Sequence, residues 1–199
     1  MPEVYEKMAA AEVLRLRWIS VQCYELKLPN GKTIVTDPFY WDESNYEGAE
    51  DLSADRKRDR QVYAQTGFSP EQFEGADYMI LSHVHGDHSN ITGKLWDRFC
   101  GRVIVPGLAA EALARVYNIP YGAIYPVYPG NTYYFDDFTL KVYPGAHDTR
   151  AFRDGYFIRP DNPQNEYAGS TAFGIPGPNA LGPLGYMHCI NYVIETNEN

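Results

Sequence analysis

The sequence predicts a mixed α/β domain, and three of its features lead to that prediction. Short apolar runs bounded by turn residues occur along the chain, as is typical of buried strands. Between two of these runs lies a longer segment whose apolar residues have helical spacing. The composition, with 44% hydrophobic and 22% charged residues over 199 positions, is sufficient for one sizeable core. We therefore treat residues 1–199 as a single domain.

The regular elements can be assigned in chain order. Residues 78–82, an apolar run after a turn-like Glu-Gly-Ala-Asp stretch, predict a buried strand. Residues 102–105 predict another strand, and residues 108–117 predict a helix packed against it. Residues 137–143 alternate apolar and polar side chains and end at a Pro-Gly break, which indicates a half-buried strand. A last strand is expected within residues 185–194.

Two long stretches resemble insertions. Residues 40–70 are first acidic and then basic, with a short helix expected near 52–65, and residues 151–187 are dense in Gly, Pro and Asn. Loops of this length in a compact domain are usually functional or disordered.

The composition excludes several classes of protein. A net charge of −9 and a pI near 5.0 argue against a nucleic-acid-binding surface, and the basic residues cluster only near 56–60. No long uncharged apolar segment or basic leader is present, so we expect no membrane partner. Cys23, Cys100 and Cys189 are odd in number and widely spaced, which indicates buried free thiols and a reducing, cytoplasmic location.

The most informative feature is the segment His83-Val84-His85-Gly86-Asp87-His88, which holds three of the five histidines. It follows the predicted strand 78–82, and the one-residue spacing of His83 and His85 lets both imidazoles converge on one cation. Gly86 would permit a turn that brings Asp87 and His88 to a second position. Imidazole and carboxylate ligands suit zinc, with manganese, iron or nickel as alternatives. The competing interpretation is a solvated turn rich in histidine.

This H-x-H-x-D-H segment resembles the central motif of the metallo-β-lactamase superfamily, which lies on a loop after a strand. An earlier part of the chain resembles the family's opening hairpin: residues 16–26, a turn at residues 30–32, and residues 33–38. In this resemblance Asp37 lies at the end of the hairpin's second strand. The resemblance implies that Asp37 supports the metal ligands from behind. The alternative is an Asp that only starts an Asp-Pro turn. Within the superfamily, the chain most resembles the L-ascorbate-6-phosphate lactonase-like group of cytoplasmic hydrolases.

The resemblance also implies a third histidine for the first metal, at the end of a later strand. His147 follows the strand predicted at 137–143 and fits this role better than His188, which we expect to be an ordinary half-buried histidine. An additional role of His188 in the site stays open. The implied fold is the family's αβ/βα sandwich, to which the alternating strands and helix correspond.

The sequence departs from the family at its end. The resemblance implies a further strand with an Asp that bridges two metals, and then a last histidine, but the sequence given ends at Asn199. Residues 195–199 would form the turn before that strand. We therefore expect a metallo-β-lactamase-like domain that lacks its C-terminal portion, with a first metal site at His83, His85 and His147 and a second, under-ligated position at Asp87 and His88.

The functional hypothesis is a metal-dependent hydrolase acting on a small-molecule substrate. One or two divalent ions, zinc before manganese, iron or nickel, would supply a hydroxide that attacks an ester, lactone, amide or phosphodiester, and Asp87 would orient or deprotonate it. The alternative is a catalytically impaired remnant that acts as a binding or dimerising module, either as a homo-oligomer or with the missing C-terminal half. A third interpretation, an iron-dependent redox protein, shares the scaffold but usually needs more carboxylate ligands.

Overall fold

The computed structural model describes residues 14–40, 68–84, 86–145 and 189–196. These residues contain nine strands: β1 (Arg15–Ser20), β2 (Cys23–Lys27), β3 (Thr33–Thr36), β4 (Tyr78–Ile80), β5 (Arg102–Pro106), β6 (Ile124–Val127), β7 (Thr132–Tyr134), β8 (Phe138–Pro144) and β9 (Ile190–Thr196). They also contain three α-helices: α1 (Gly86–Ser89), α2 (Thr92–Phe99) and α3 (Ala110–Val116). Short 3-10 helices lie at Pro70–Gln72, Gly107–Ala109 and Tyr121–Ala123.

The strands form two sheets. The large sheet has the order β1-β2-β3-β4-β5-β6, in which β1 to β3 are antiparallel neighbours and β3 to β6 are parallel neighbours. The small sheet has the order β7-β8-β9 and is antiparallel throughout. Parallel strands need crossover connections, and the β4 to β5 and β5 to β6 connections carry the three α-helices.

The large sheet is covered on both faces. One face packs against the helices, where Met79 and Val103 share a buried cluster with Leu95 of α2 and Leu113 of α3. Because side chains alternate along a strand, the neighbouring residues point the other way, and they pack against the small sheet. This second cluster joins Ile34, Ile80 and Ile104 to Phe138, Leu140 and Val142. Three layers therefore stack in the order helices, large sheet, small sheet.

The elements predicted around the motif are confirmed with small changes in their bounds. The strand predicted at 78–82 is β4, and its pairing continues beyond Ile80, since Leu81 N donates to Ile104 O at 2.9 Å. The strands predicted at 102–105 and 137–143 are β5 and β8. The helix predicted at 108–117 is a 3-10 turn followed by α3.

Several expectations are corrected. Residues 16–26 do not form one strand, because a turn at Val21 and Gln22 divides them into β1 and β2, so Asp37 follows the third strand of the chain. Gly86 begins helix α1 where a turn was expected. The last strand extends to Thr196, so residues 195 and 196 lie in β9 and not in a turn. Cys100 is exposed, whereas Cys23 is buried as predicted.

Other predictions fall outside the described residues. These are the short helix near 52–65, nearly all of the two insert-like stretches, and the positions of His85, His147 and His188. Of the helices in the described ranges, none is long and apolar enough to cross a membrane.

Candidate functional site

The carboxyl ends of β3 and β4 bring Asp37 and the motif together. Since β3 and β4 are parallel neighbours, the segments that follow them leave the sheet at the same edge. Asp37 follows β3 directly, and its backbone N–H donates to Ile80 O at 2.8 Å. Ser82 and His83 leave β4 beside it, and the short helix α1 then carries Asp87 and His88.

Asp37 is the centre of a buried hydrogen-bond network. Asp37 is 2% exposed, and its backbone φ angle is positive, at 38°. Asp is one of the few residues enriched in this left-handed region. The carboxylate accepts hydrogen bonds from Ser82 N at 2.6 Å, from Ser82 Oγ at 2.8 Å and from His88 Nδ1 at 3.0 Å. One carboxylate therefore fixes the start of the motif loop and a histidine of α1.

These contacts assign the tautomers of two histidines. A carboxylate only accepts, so neutral His88 carries its proton on Nδ1, toward Asp37, and its lone pair on Nε2. Ser82 Oγ donates its only proton to Asp37, so it accepts from His83 Nδ1, which lies 3.0 Å away. The lone pair of His83 therefore also lies on Nε2. An imidazole whose other nitrogen donates to a carboxylate or hydroxyl is typical of metal-ligating histidines.

The two imidazoles are close neighbours. The ring centroids of His83 and His88 are 4.0 Å apart and the planes are inclined by 49°. His83 is 6% exposed, whereas the side chain of Asp87 is 44% exposed, and its Oδ2 lies 3.8 Å from His88 Nε2. The site thus has a buried side at Asp37 and His83 and an open side at Asp87.

Electrostatics favour a positive charge at His88. Burial lowers the pKa of His88, but the hydrogen bond to Asp37 and the negative charges of Asp37 and Asp87 outweigh it, so the pKa lies above its ordinary value. A cation at this position, whether a proton or a metal ion, compensates the buried carboxylate.

The structure thus brings four of the predicted site residues together: His83, Asp87, His88 and the supporting Asp37. The other predicted ligands, His85 and His147, lie outside the described residues, as does His188. Within the described ranges, no group of three or more His, Cys, Asp or Glu side chains is arranged to hold a metal ion. The sequence did not single out Ser82, because a lone serine between a strand and a histidine has no distinctive pattern.

A groove lies next to the site, and Asp37 borders both of them. It has a volume of about 370 Å³ and lies between β1 to β3 of the large sheet and β9 of the small sheet. Asp37 and Ser82 form one end of it, and Leu16, Leu26, Tyr192 and Ile194 line the rest.

Comparison with known proteins finds neither a matching family model nor a matching curated protein. Solved structures do match. A possible metal-dependent hydrolase from Veillonella parvula has a TM-score of 0.53 and 16% identity, covering 93% of this chain and 58% of that chain. A novel metallo hydrolase from Ignicoccus hospitalis has a TM-score of 0.46 and 13% identity, covering 67% and 49%. A metallo-β-lactamase from Staphylococcus aureus has a TM-score of 0.41 and 15% identity, covering 68% and 36%.

The chain shares its mixed α/β fold with the possible metal-dependent hydrolase from Veillonella parvula. The likeness to the Veillonella structure carries this conclusion, because it extends over nearly the whole chain. The chain spans between about a third and three fifths of the length of these three structures. The predicted fold class is thereby confirmed, while sequence identities of this size inform the fold alone.

Proposed function

We propose that this protein is a metal-dependent hydrolase whose metal centre is built on the loop after β4. The observation that carries the proposal is the Asp37 network. It directs Nδ1 of both His83 and His88 toward the protein, so the lone pairs of both rings lie on Nε2. A buried carboxylate that orients two adjacent imidazoles is the support that a metal centre requires. The names of the matching structures, which include metallo hydrolases, agree with this reaction class.

The proposed roles follow from these positions. His83, with His85 and His147, would hold the first ion, and Asp87 with His88 would hold a second. Such an ion supplies Lewis acidity and an activated water at neutral pH. Asp87, on the open side of the site, would orient the attacking water and take up its proton, and Asp37 keeps the histidines in the required tautomer.

We also propose an ion, a class of substrate and a compartment for this protein. Zinc is the first choice for a site of imidazole and carboxylate ligands, before manganese, iron or nickel. The substrate would be a small molecule with an ester, lactone, amide or phosphodiester bond, with lactones suggested by the resemblance to the ascorbate-6-phosphate lactonase-like group. The three unpaired cysteines agree with a cytoplasmic location.

Metal content is the first test. We expect elemental mass spectrometry of the purified chain to find at least one tightly held divalent ion per chain. His83→Ala should lose this ion, because it removes a ligand. Asp137→Asn is the matched control, since Asp137 accepts a hydrogen bond from Tyr78 at the start of β4, far from the motif at its other end. A wild-type chain that stays metal-free after reconstitution, or a His83→Ala chain that keeps a full equivalent, would contradict the proposal.

Hydrolysis is the second test. In a screen of lactones, esters and phosphodiesters, we expect turnover that requires the metal. Asp87→Asn should lower kcat by about 100-fold or more while at least one equivalent of metal is retained, since Asp87 acts on the proton of the attacking water. An Asp87→Asn chain with unchanged kcat on a substrate that the wild type turns over would remove Asp87 from its proposed role.

A second candidate function is the binding or dimerising module, and one observation favours it. Large apolar side chains of β1 are exposed on the face that, elsewhere in the large sheet, the small sheet covers. Exposed apolar patches of this kind are typical of interaction surfaces.

A further inference from the structure

The large sheet extends beyond the small sheet on the β1 side. In the register of the hairpin, Leu16 pairs with Leu26 and Trp18 pairs with Tyr24, so both β1 residues lie on the face that meets the small sheet. Leu26 is packed against the cluster between the sheets. Leu16 and Trp18, one strand further out, are 64% and 60% exposed. We call the face formed by Leu16 and Trp18 the overhang.

Two strand edges border this overhang. Among the residues that the structure describes, β1 is the outermost strand of the large sheet and β9 is the outermost strand of the small sheet. An unpaired edge offers a row of backbone donors and acceptors to another chain. The groove beside Asp37 runs between these two strands, with Leu16 on one wall and Tyr192 and Ile194 on the other.

The two edges run in opposite directions. β9 begins at the carboxyl end of β4, where Ile190 N donates to Ser82 O at 2.9 Å, and it leads away from that end. β4 leads toward it, so β9 and β4 are antiparallel. β1 has the same direction as β3 and β4, because two antiparallel pairings and one parallel pairing connect them. β9 and β1 are therefore antiparallel.

The directions of β1 and β9 and the position of the overhang determine how two copies of the chain can pack against each other. If two β9 edges paired directly and antiparallel, both large sheets would lie in the same layer and both overhangs would occupy the same space. Consider instead a two-fold axis that is parallel to the strands and lies midway between the two sheet layers. Rotation about this axis places the large sheet of one copy in the same layer as the small sheet of the other copy. β1 of each copy then lies beside β9 of the other, antiparallel to it. Both edges are thereby paired, and the two overhangs face each other.

We propose that this face binds a second copy of the chain, in a two-fold dimer joined by two β1–β9 pairings. The side chains match in this arrangement. Trp18 of one copy lies opposite Tyr192 of the other, Leu16 opposite Ile194, and all four point between the layers. An isologous interface of this kind closes at two subunits.

The outer face of the joined sheet brings opposite charges together. Arg17 packs over the ring of Phe68 on the helix side of β1, and Arg15, two residues earlier, lies on that same side. Glu195 is exposed on the outer side of β9, where it pairs with Lys141 of β8 at 2.6 Å and keeps further acceptor capacity on its carboxylate. In the register that pairs Leu16 with Ile194, Arg15 of one copy lies opposite Glu195 of the other. Opposite charges in directly paired positions of a sheet are stabilising, and like charges are destabilising.

The first experiment measures the mass of the full chain by sedimentation velocity over a concentration series. We expect a dimer with twice the 22.6 kDa mass of one chain. Trp18→Glu should raise the dimer dissociation constant at least about 30-fold, as for a buried aromatic anchor of an interface. Tyr134→Glu is the matched control, because Tyr134 is an exposed aromatic residue on β7, away from β9, and should leave the dimer unchanged. A monomeric wild type, or a dimer that Trp18→Glu does not weaken, overturns the proposal.

The second experiment tests the register by charge reversal. Arg15→Glu and Glu195→Arg should each weaken the dimer, because each creates two like-charged pairs, and the double variant should restore it. A single Arg15→Glu chain mixed with a single Glu195→Arg chain should form a mixed dimer in which both pairings join opposite charges, one as in the wild type and one reversed. A double variant whose dimer dissociation constant is no lower than those of the single variants contradicts this register.

A wild-type chain that stays monomeric and binds a different polypeptide over β9 would show that the face has another occupant, and the proposed dimer would be wrong. Neither readout depends on metal content, so failure here leaves the proposed hydrolase untouched.

Discussion

Asp37 shows how one side chain can organise a whole site. Its short carboxylate, in a left-handed backbone conformation directly after β3, reaches the backbone and hydroxyl of Ser82 and the ring of His88 at once. A buried carboxylate is costly unless it is fully hydrogen-bonded. The three donors around Asp37 meet that cost, and they give the histidine rings defined orientations.

We predict that Asp37→Asn weakens metal binding by about 10- to 100-fold, the usual effect of losing such a supporting group. Asn has the same size and also tolerates the left-handed conformation, so the change removes the charge and replaces one acceptor oxygen by an NH2 donor that faces the donors of Ser82 or His88. Competition titration with a chromophoric chelator measures the affinity. Asp137→Asn should bind metal like the wild type, and equal affinities for all three proteins would refute the role of Asp37.

A close approach of the backbone before β5 makes one glycine costly to replace. Gly101 lies directly before β5, next to the segment that leads into β4, and Arg102 N donates to Asp77 O at 2.9 Å. A Cβ atom at Gly101 would lie 1.9 Å from the carbonyl oxygen of Ala76. Since that oxygen belongs to the backbone, it can move only if the start of the sheet moves with it.

We therefore predict that Gly101→Ala destabilises the protein by about 2 kcal/mol, within the range for overpacking. Urea unfolding followed by circular dichroism measures the change. Gly122→Ala is the control, because a Cβ atom there has open space around it. If both variants unfold at the same urea concentration, the steric argument for Gly101 is wrong.

At the level of elements, the sequence predicted the strands that it marks clearly. The apolar runs of β4 and β5 end at turns, and the alternating run of β8 ends at Pro144 and Gly145. The division of residues 16–26 could not be predicted, because neither Gly nor Pro marks the turn. Val21 instead adopts a φ of 45°, which a β-branched residue rarely does.

The candidate site was predicted only in part for a similar reason. The spacing of the motif indicates that its histidines share a site, and the resemblance implied the role of Asp37. The contact between Asp37 and Ser82 depends on the parallel pairing of β3 and β4, which are separated by more than 40 residues of sequence. No local pattern records a pairing over such a distance, so Ser82 was missed.

The proposed metal centre lies where the three layers of the fold meet. Asp37 and Ser82 belong to the edge of the large sheet, Ile190 N of the small sheet donates to Ser82 O, and α1 leads into α2 of the helical layer. A ligand bound only by the folded protein stabilises all of these layers together. The metal is therefore expected to act on global stability as well as on chemistry.

The last prediction is that zinc raises the free energy of unfolding, by about 2.7 kcal/mol when free zinc is 100 times its dissociation constant. Urea unfolding with buffered zinc, compared with unfolding in chelator, measures this increment. His83→Ala should unfold at the same urea concentration in both conditions, because it no longer binds the ion in the native state. Asp137→Asn should keep the full increment even if its baseline stability falls. A wild-type midpoint that does not respond to zinc would mean that the folded protein binds zinc no better than the unfolded chain does, and zinc would then have to be abandoned as the ion of the proposed centre.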